Sequence, residues 1–155
     1  MKNKEAIVIR KAEISDITTL VDFMLKMAKE TEDLNLDASV LEAGIAGGLK
    51  DTKKAEYFIA ENNGNSIGSL MITKEWSDWR NAWVLWIQSV YTVEKYRNKG
   101  VYRSLYNHIQ QLVKKEENYC GIRLYVDNTN VVAQRVYSKL GMNGEHYTLY
   151  EWMLS

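Results

Sequence analysis

Apolar positions along the chain change period several times, and each change predicts an element. Ala6 to Arg10 is a short β-branched run, after which Ser15 or Asp16 stands as an N-cap before Ile17, Leu20, Val21, Met24, Met27 and Ala28 at helical spacing. A polar stretch from Glu30 to Asp37 reads as a loop. Val40, Leu41, Ile45 and Leu49 then predict a second helix, interrupted by Gly44, Gly47 and Gly48. Tyr57 to Glu61 and Ile67 to Thr73 flank Asn62-Asn63-Gly64-Asn65, and Asn-Gly supplies the positive φ angles of a tight hairpin. A loop carrying Trp76, Asp78, Trp79 and Arg80 leads into Trp83 to Val93, a run rich in Val, Ile, Trp and Tyr that predicts a long central or bulged strand. Val101, Leu105, Ile109, Leu112 and Val113 mark one face of a helix reaching Glu117. Ile122, Leu124 and Val126 alternate with polar residues as a strand does. Asn128 or Thr129 can cap a last helix through Leu140, with Gly141 where a left-handed residue is wanted, and Tyr147 to Leu154 is strand-like. The predicted order is β-α-α-β-β-β-α-β-α-β, with one more short strand allowed over Met142 to Glu145. No linker or repeat divides it, so residues 1–155 read as one α/β or α+β domain with a mixed sheet.

Composition narrows the functional classes. With 155 residues, 46% of them hydrophobic and 26% charged, the chain can bury a substantial core. The 20 basic and 20 acidic residues cancel, leaving no global field to hold a polyanion, so nucleic acid is not an expected partner. The single cysteine, Cys120, has no disulfide partner within the chain and no metal-site spacing around it, and a small buried thiol is expected there. No membrane span or leader is read from the sequence, and a cytoplasmic location is the expectation. Rings are unevenly chosen: 5 Trp and 10 Tyr against 2 Phe. Trp and Tyr combine apolar area with a polar handle and suit pocket walls and interfaces as well as ordinary cores.

Chemistry concentrates in two segments. Arg97-Asn98-Lys99-Gly100-Val101-Tyr102 lies between the long strand and the following helix. There, unpaired N–H groups and the positive end of the helix dipole converge, and a glycine lets an anion approach the backbone. A phosphate or diphosphate fits, with Arg97, Lys99 and Arg103 adding charge; a plain exposed basic turn accounts equally well for this hexapeptide alone. It has neither the glycine and Lys-Ser/Thr spacing of a Walker loop nor the three glycines of a dinucleotide fingerprint. In the second segment, Asn130, Ala133 and Tyr137 fall within about 60° of one another around a helix axis. An amide, a small residue and a phenol in one stripe can wall an extended ligand, although a lone Tyr137 is also an ordinary half-buried ring.

Taken together, the two segments resemble the GNAT superfamily of acyl-CoA-dependent N-acetyltransferases. The family's turn, Arg or Gln, two residues, Gly, one residue, then Gly or Ala, is matched from Arg97 to Gly100 and departs at Tyr102, where the family has a small residue. Either the diphosphate is held off the backbone there or the ring is turned away along the helix. The family's later pattern is met by Asn130, Ala133, Tyr137, Gly141 and Met142. The resemblance covers nearly the whole chain and implies a mixed, mostly antiparallel central sheet flanked by helices, an acetyl-CoA co-substrate and no metal.

It also implies roles. A bulge around Gln88 to Thr92 would splay the long strand from the Ile122 to Val126 strand. Backbone groups of Tyr91 and Thr92 would pair with the pantetheine arm, N–H groups from Asn98 through Lys99, Gly100 and Val101 to Tyr102 would cradle the diphosphate, and Asn130 would hold the pantetheine side. Ser89 or Val90 would offer an N–H to the oxyanion, and Tyr137 would protonate the departing thiolate. For the base that takes the amine proton, Glu75 leads, with Asp78, Glu30, Glu32 and His146 behind it, while His108 is expected on an exposed helix flank. Acceptor choice would fall to the Glu30 to Asp37 loop, the second helix and the segment Glu75 to Trp86, where Trp76, Trp79, Trp83 and Trp86 can hold a cation over ring faces or pack in a core or dimer contact. The expected activity is acetyl transfer to a primary amine of a small molecule or protein, with a homodimer suggested by resemblance alone. A non-catalytic acyl-CoA-binding module of the same fold and a phosphate-binding protein sharing only the anion turn are the competing readings.

Overall fold

A computed structural model of the chain describes residues 6–154. These form two compact units, one ending at Arg123 and one beginning at Leu124. The first carries β1 (Val8–Lys11), α1 (Ile17–Glu32), α2 (Ala38–Lys50), β2 (Glu56–Asn62), β3 (Asn65–Ser77), β4 (Ala82–Thr92), α3 (Val101–Lys115) and β5 (Tyr119–Arg123). Its sheet has the order β1-β2-β3-β4-β5, antiparallel except for the parallel β4–β5 pair. The parallel step is possible because α3 carries the chain back across the sheet.

Helices cover both faces of this sheet. Leu20, Phe23 and Met24 of α1 and Ile45 of α2 pack with Tyr57, Ile59 and Tyr91 on one face, whereas Phe58 meets His108 of α3 on the other, ring centroids 5.1 Å apart. That is why Tyr57, Phe58, Ile59 and Ala60 are all buried without alternation. Each large aliphatic or aromatic side chain buried this way contributes about 1.5–3 kcal/mol. Gly48 has a use in α2: a Cβ there would come within 3.0 Å of the Tyr57 ring and 3.3 Å of Ala55 Cβ, so the glycine sets the approach of α2 to β2. The β2–β3 hairpin turns at Asn63 and Gly64, with φ 49° and 74°, the two positive values a type I′ turn needs.

Several expectations need correction. Trp76 lies in β3 and not in a loop, because β3 runs on to Ser77, where Trp76 pairs with Trp83 across the strands in an edge-to-face contact at 5.0 Å. The strand expected over Ile122 to Val126 is found three residues earlier. β5 takes its register from the start of β4, where Trp83 N–H donates to Asn118 O at 2.8 Å and Trp83 pairs with Tyr119. Cys120 is exposed, its thiol donating to Trp83 O at 3.4 Å.

In the second unit, α4 (Val131–Lys139) is the regular element among the described residues. No strand forms over Met142 to Glu145 or Tyr147 to Leu154 there. Tyr147, Leu149, Tyr150, Trp152, Met153 and Leu154 are exposed, and with apolar residues on both of its faces the segment lacks the alternation that selects one pairing face.

Candidate active site

The sheet's departure from regularity is in β4. Ser69 faces Tyr91 and Met71 faces Gln88, so three steps on β4 span two on β3, and the extra residue falls at Ser89–Val90. Ser89 has φ 52°, a left-handed conformation that costs a non-glycine residue about 1–2 kcal/mol. The last β4–β5 pair is Trp86 with Arg123, so β4 continues from Ile87 to Thr92 with β3 as its one strand partner among the described residues. The bulge expected around Gln88 to Thr92 is thus present. Opposite it, Gly68 makes room: a Cβ there would lie 2.8 Å from Tyr91 O and 2.8 Å from Val101 Cγ1. Sequence reasoning passed over Gly68, although a lone glycine between Ile67 and Ser69 in a strand signals a close backbone approach.

The chain then reverses into α3. A 3₁₀ turn, Glu94–Tyr96, leads to Asn98 with φ 60° and Gly100 with φ 86°, the N-cap of α3. Gly100 has no side-chain oxygen to cap the first turn, and Ser104 N–H makes the first helical bond, to Gly100 O at 3.0 Å. Preceding amides at such a terminus point outward with the helix dipole behind them, a ready site for an anion's oxygens. Tyr102 is half-buried with its ring beside that of Tyr106, centroids 6.2 Å apart, so it runs along α3. Lys99 Nζ lies 5.6 Å from the Tyr96 ring centroid. Arg97 is exposed but tied on two sides: Nε donates to Thr92 O at 3.0 Å, and Nη2 donates to Glu30 Oε2 of α1. This positive turn fits the diphosphate of an acyl-CoA through backbone N–H groups and local cations.

Beyond the helices, β3, β4 and β5 carry a polar strip on the face that holds Met71. Gln88 Nε2 donates to Thr73 Oγ1 at 2.6 Å, and Arg123 Nη1 donates to Glu75 Oε1 at 2.5 Å. The leading base candidate is therefore an exposed carboxylate held in an ion pair. Glu30 is paired with Arg97, Asp78 Oδ1 accepts from Trp79 N–H at 2.9 Å, and Glu32 is exposed at the end of α1. His108, expected on an exposed flank, is half-buried against Phe58, and that burial lowers its imidazole pKa. Trp79 is 88% exposed and Trp76 49% exposed, while Trp83 and Trp86 are half-buried. Among the described residues no group of three His, Cys, Asp or Glu gathers to hold a metal.

In the second unit, the Asn130, Ala133, Tyr137, Gly141, Met142 pattern is a helix with both ends tied. Asn130 Oδ1 accepts from Ala133 N–H at 3.1 Å, the N-cap bond. Gly141, φ 84°, donates to Ser138 O at 3.0 Å, and Met142 N–H donates to Tyr137 O at 3.1 Å, the paired bonds of a Schellman terminus. Tyr137 is half-buried, and burial raises its phenol above the usual tyrosine range. His146 is exposed in this unit.

The acetyltransferase (GNAT) family model matches residues 18–142 and so spans both units. Streptothricin acetyltransferase A of Bacillus subtilis (strain 168) is 30% identical over 111 residues, covering 72% of this chain and 56% of that protein; the chain thus spans little more than half of that relative's length. The crystal structure of a possible acetyltransferase from Clostridium difficile 630 superposes with a TM-score of 0.90 at 40% identity, covering 97% of this chain and 99% of the other. A ribosomal-protein-alanine N-acetyltransferase from Brucella melitensis biovar Abortus 2308 shares the fold, with a TM-score of 0.79 at 13% identity over 97% of this chain and 100% of its own. A five-stranded mixed sheet with a bulged β4, a glycine-capped α3 and a match over most of the chain lead to one conclusion: this protein belongs to the GNAT family of acetyltransferases.

Proposed function

We propose that the protein transfers an acetyl group from acetyl-CoA to a primary amine by direct attack of the amine on the thioester. The observation that carries this reading is the bulge at Ser89–Val90 followed, within one chain reversal, by the Gly100-capped terminus of α3. Acetyl-CoA supplies the activated acyl carbonyl. The backbone from Asn98 to Tyr102 binds the diphosphate, with Lys99 and Arg103 adding charge, and the Tyr91–Thr92 end of β4 pairs with the pantetheine arm. Asn130 and Ala133 of α4 stand at the family pattern's cofactor-binding positions. Because Asn130 Oδ1 already caps α4, the amide's Nδ2 is the group it offers. The Ser89 or Val90 N–H at the bulge stabilises the oxyanion. Tyr137, a phenol protonated at neutral pH as any tyrosine is and raised further by burial, donates a proton to the leaving thiolate. Glu75 takes the amine proton, directly or through water, with Arg123 fixing its carboxylate.

The test is thiol release from acetyl-CoA across polyamines, aminoglycosides, amino acids, lysine peptides and a streptothricin, beside calorimetric titration of CoA. The last acceptor is added because the Bacillus subtilis relative is named for it. Release with one acceptor class is the expected result. Absence of CoA binding would overturn the reading, and CoA binding without release for any acceptor would favour the acyl-CoA-binding module.

A further inference from the structure

Arg97 opens the anion-binding turn, and its guanidinium, at the surface, is held by the protein's own groups. Nε reaches back five residues to Thr92 O, at 3.0 Å, and Nη2 reaches across to Glu30, 67 residues away in sequence. The guanidinium carbon lies 5.7 Å from the Tyr91 ring centroid. Tyr91 in turn stacks on Phe23 of α1 at 5.1 Å and places its hydroxyl 3.5 Å from Glu30 Oε1. Three elements therefore meet on one guanidinium: the last turns of α1, the end of β4 beyond its bulge, and the segment leading to α3. The Thr92 carbonyl and the Glu30 carboxylate engage Nε and Nη2, so the protein itself fixes where the guanidinium sits. Pairing with Glu30 also cancels its charge locally, which leaves Lys99 and Arg103 to supply the turn's positive field.

We propose that Glu30 is a positioning residue which holds Arg97 as a surface strut, so that Arg97 orders the backbone of the anion-binding turn and does not itself bind the diphosphate. The inference rests on the acetyl-CoA reading above and deepens it. A preordered turn presents its N–H groups without first losing backbone freedom, so loosening the strut weakens the ligand even though no ligand contact is removed. The α1 carboxylate acts at a distance, through the guanidinium.

Opposite signs separate this from direct phosphate binding. If Arg97 were a phosphate ligand, Glu30→Gln would release its charge and tighten CoA. As a strut, it loses its anchor, and Glu30→Gln weakens CoA. The experiment titrates CoA into wild type, Glu30→Gln, Arg97→Gln and the double variant, with thermal unfolding beside each, and measures KM for acetyl-CoA and for acetyl-pantetheine, which lacks the diphosphate. Each single variant should raise the Kd for CoA by roughly three- to fivefold, and the double variant should be no worse than the poorer single one, as befits two halves of one contact. The KM for acetyl-pantetheine, whose arm meets Tyr91 and Thr92, should rise less than the KM for acetyl-CoA, whereas general loosening of the fold would raise both alike. Tighter or unchanged CoA binding by Glu30→Gln, or additive losses in the double variant, would overturn the strut while leaving the acetyl-CoA reading intact. Failure of wild type to bind CoA would remove that reading and the strut with it.

Discussion

Replacing Gly68 with alanine puts a methyl group where two neighbours already stand. The added Cβ would lie 2.8 Å from Tyr91 O and 2.8 Å from Val101 Cγ1, where an ordinary carbon contact is about 3.5–4.0 Å. Roughly 0.7 Å has to be found on each side. Val101 is buried and β-branched in the first turn of α3, so its side chain cannot rotate away without leaving its preferred rotamer. The Tyr91 carbonyl belongs to the backbone that emerges from the bulge, and it moves only if β4 moves. Overpacking of this kind costs about 1–3 kcal/mol, partly offset by the reduced freedom that alanine brings to the unfolded chain, about 0.4–1 kcal/mol. The net loss of about 1–2 kcal/mol lowers Tm by about 2–8 °C for a chain of this size. Because the strain falls between the end of β4 and the start of α3, CoA affinity should drop as well. Circular dichroism melting and calorimetry read the two effects. Gly47→Ala is the control: nothing lies within 4 Å of its added Cβ in α2, and it should raise stability by about 0.5–1 kcal/mol. A Gly68→Ala protein with wild-type Tm and wild-type CoA affinity would refute the close approach.

Tyr137→Phe should lower kcat by about 100-fold or more while leaving the Kd for CoA within about twofold; equal losses in both would end its role as an acid. Since burial raises the Tyr137 phenol, wild-type kcat should show no alkaline loss from its ionisation below about pH 10, and an alkaline limb that vanishes in Tyr137→Phe at lower pH would contradict the assignment. Gly100→Val places a β-branched residue at φ 86° and should weaken CoA binding about tenfold or more, an unchanged Kd counting against the diphosphate placement. Asp16 is held below the usual carboxylate range by Arg10, which donates to both its oxygens at 2.8 and 2.9 Å, and Glu13 N–H adds a third bond. Its stabilisation is complete above about pH 4 and fades as pH falls through the depressed folded value. Asp16→Asn should therefore cost about 1 kcal/mol at pH 7, allowing for the partial exposure of Arg10, and the gap to wild type in urea unfolding should narrow toward pH 2.

What could be seen in the sequence was whatever has a local cause. Asn63-Gly64 announces its hairpin because few other pairs accept two positive φ angles, and the apolar stripe of Val101, Leu105 and Ile109 announces α3 because a helix repeats in 3.6 residues. Gly141 ends α4 for an equally local reason, whereas the cap expected at Asn128 or Thr129 falls at Asn130, because Thr129 is tied to Asp127 and Asn130 Oδ1 takes the Ala133 N–H. The bulge was anticipated from the family likeness, while its left-handed Ser89 carries no mark in the residue itself. Features that depend on a distant partner stayed hidden. The far end of β3 is polar except for Trp76, and only its cross-strand partner Trp83 explains why it is a strand. The position of β5 follows from where β4 begins to offer an edge, so alternation at Ile122, Leu124 and Val126 misplaced it. Glu30 read as one more loop carboxylate, since nothing local ties it to Arg97.

The two tied ends of α4 act as a ruler. Nine residues are too few for a helix to hold its own phase in water, so the phase is imposed from Asn130 at one end and from Gly141 and Met142 at the other. Tyr137 sits between these stops, its own carbonyl being the acceptor for Met142. Inserting a single residue between Asn130 and Tyr137 would swing the phenol about 100° around the axis and shift it about 1.5 Å along it. Substitutions along the exposed side of α4 leave that spacing untouched, whereas a change of length within it cannot be absorbed, so relatives that keep the phenol should vary in residue type there and not in residue number.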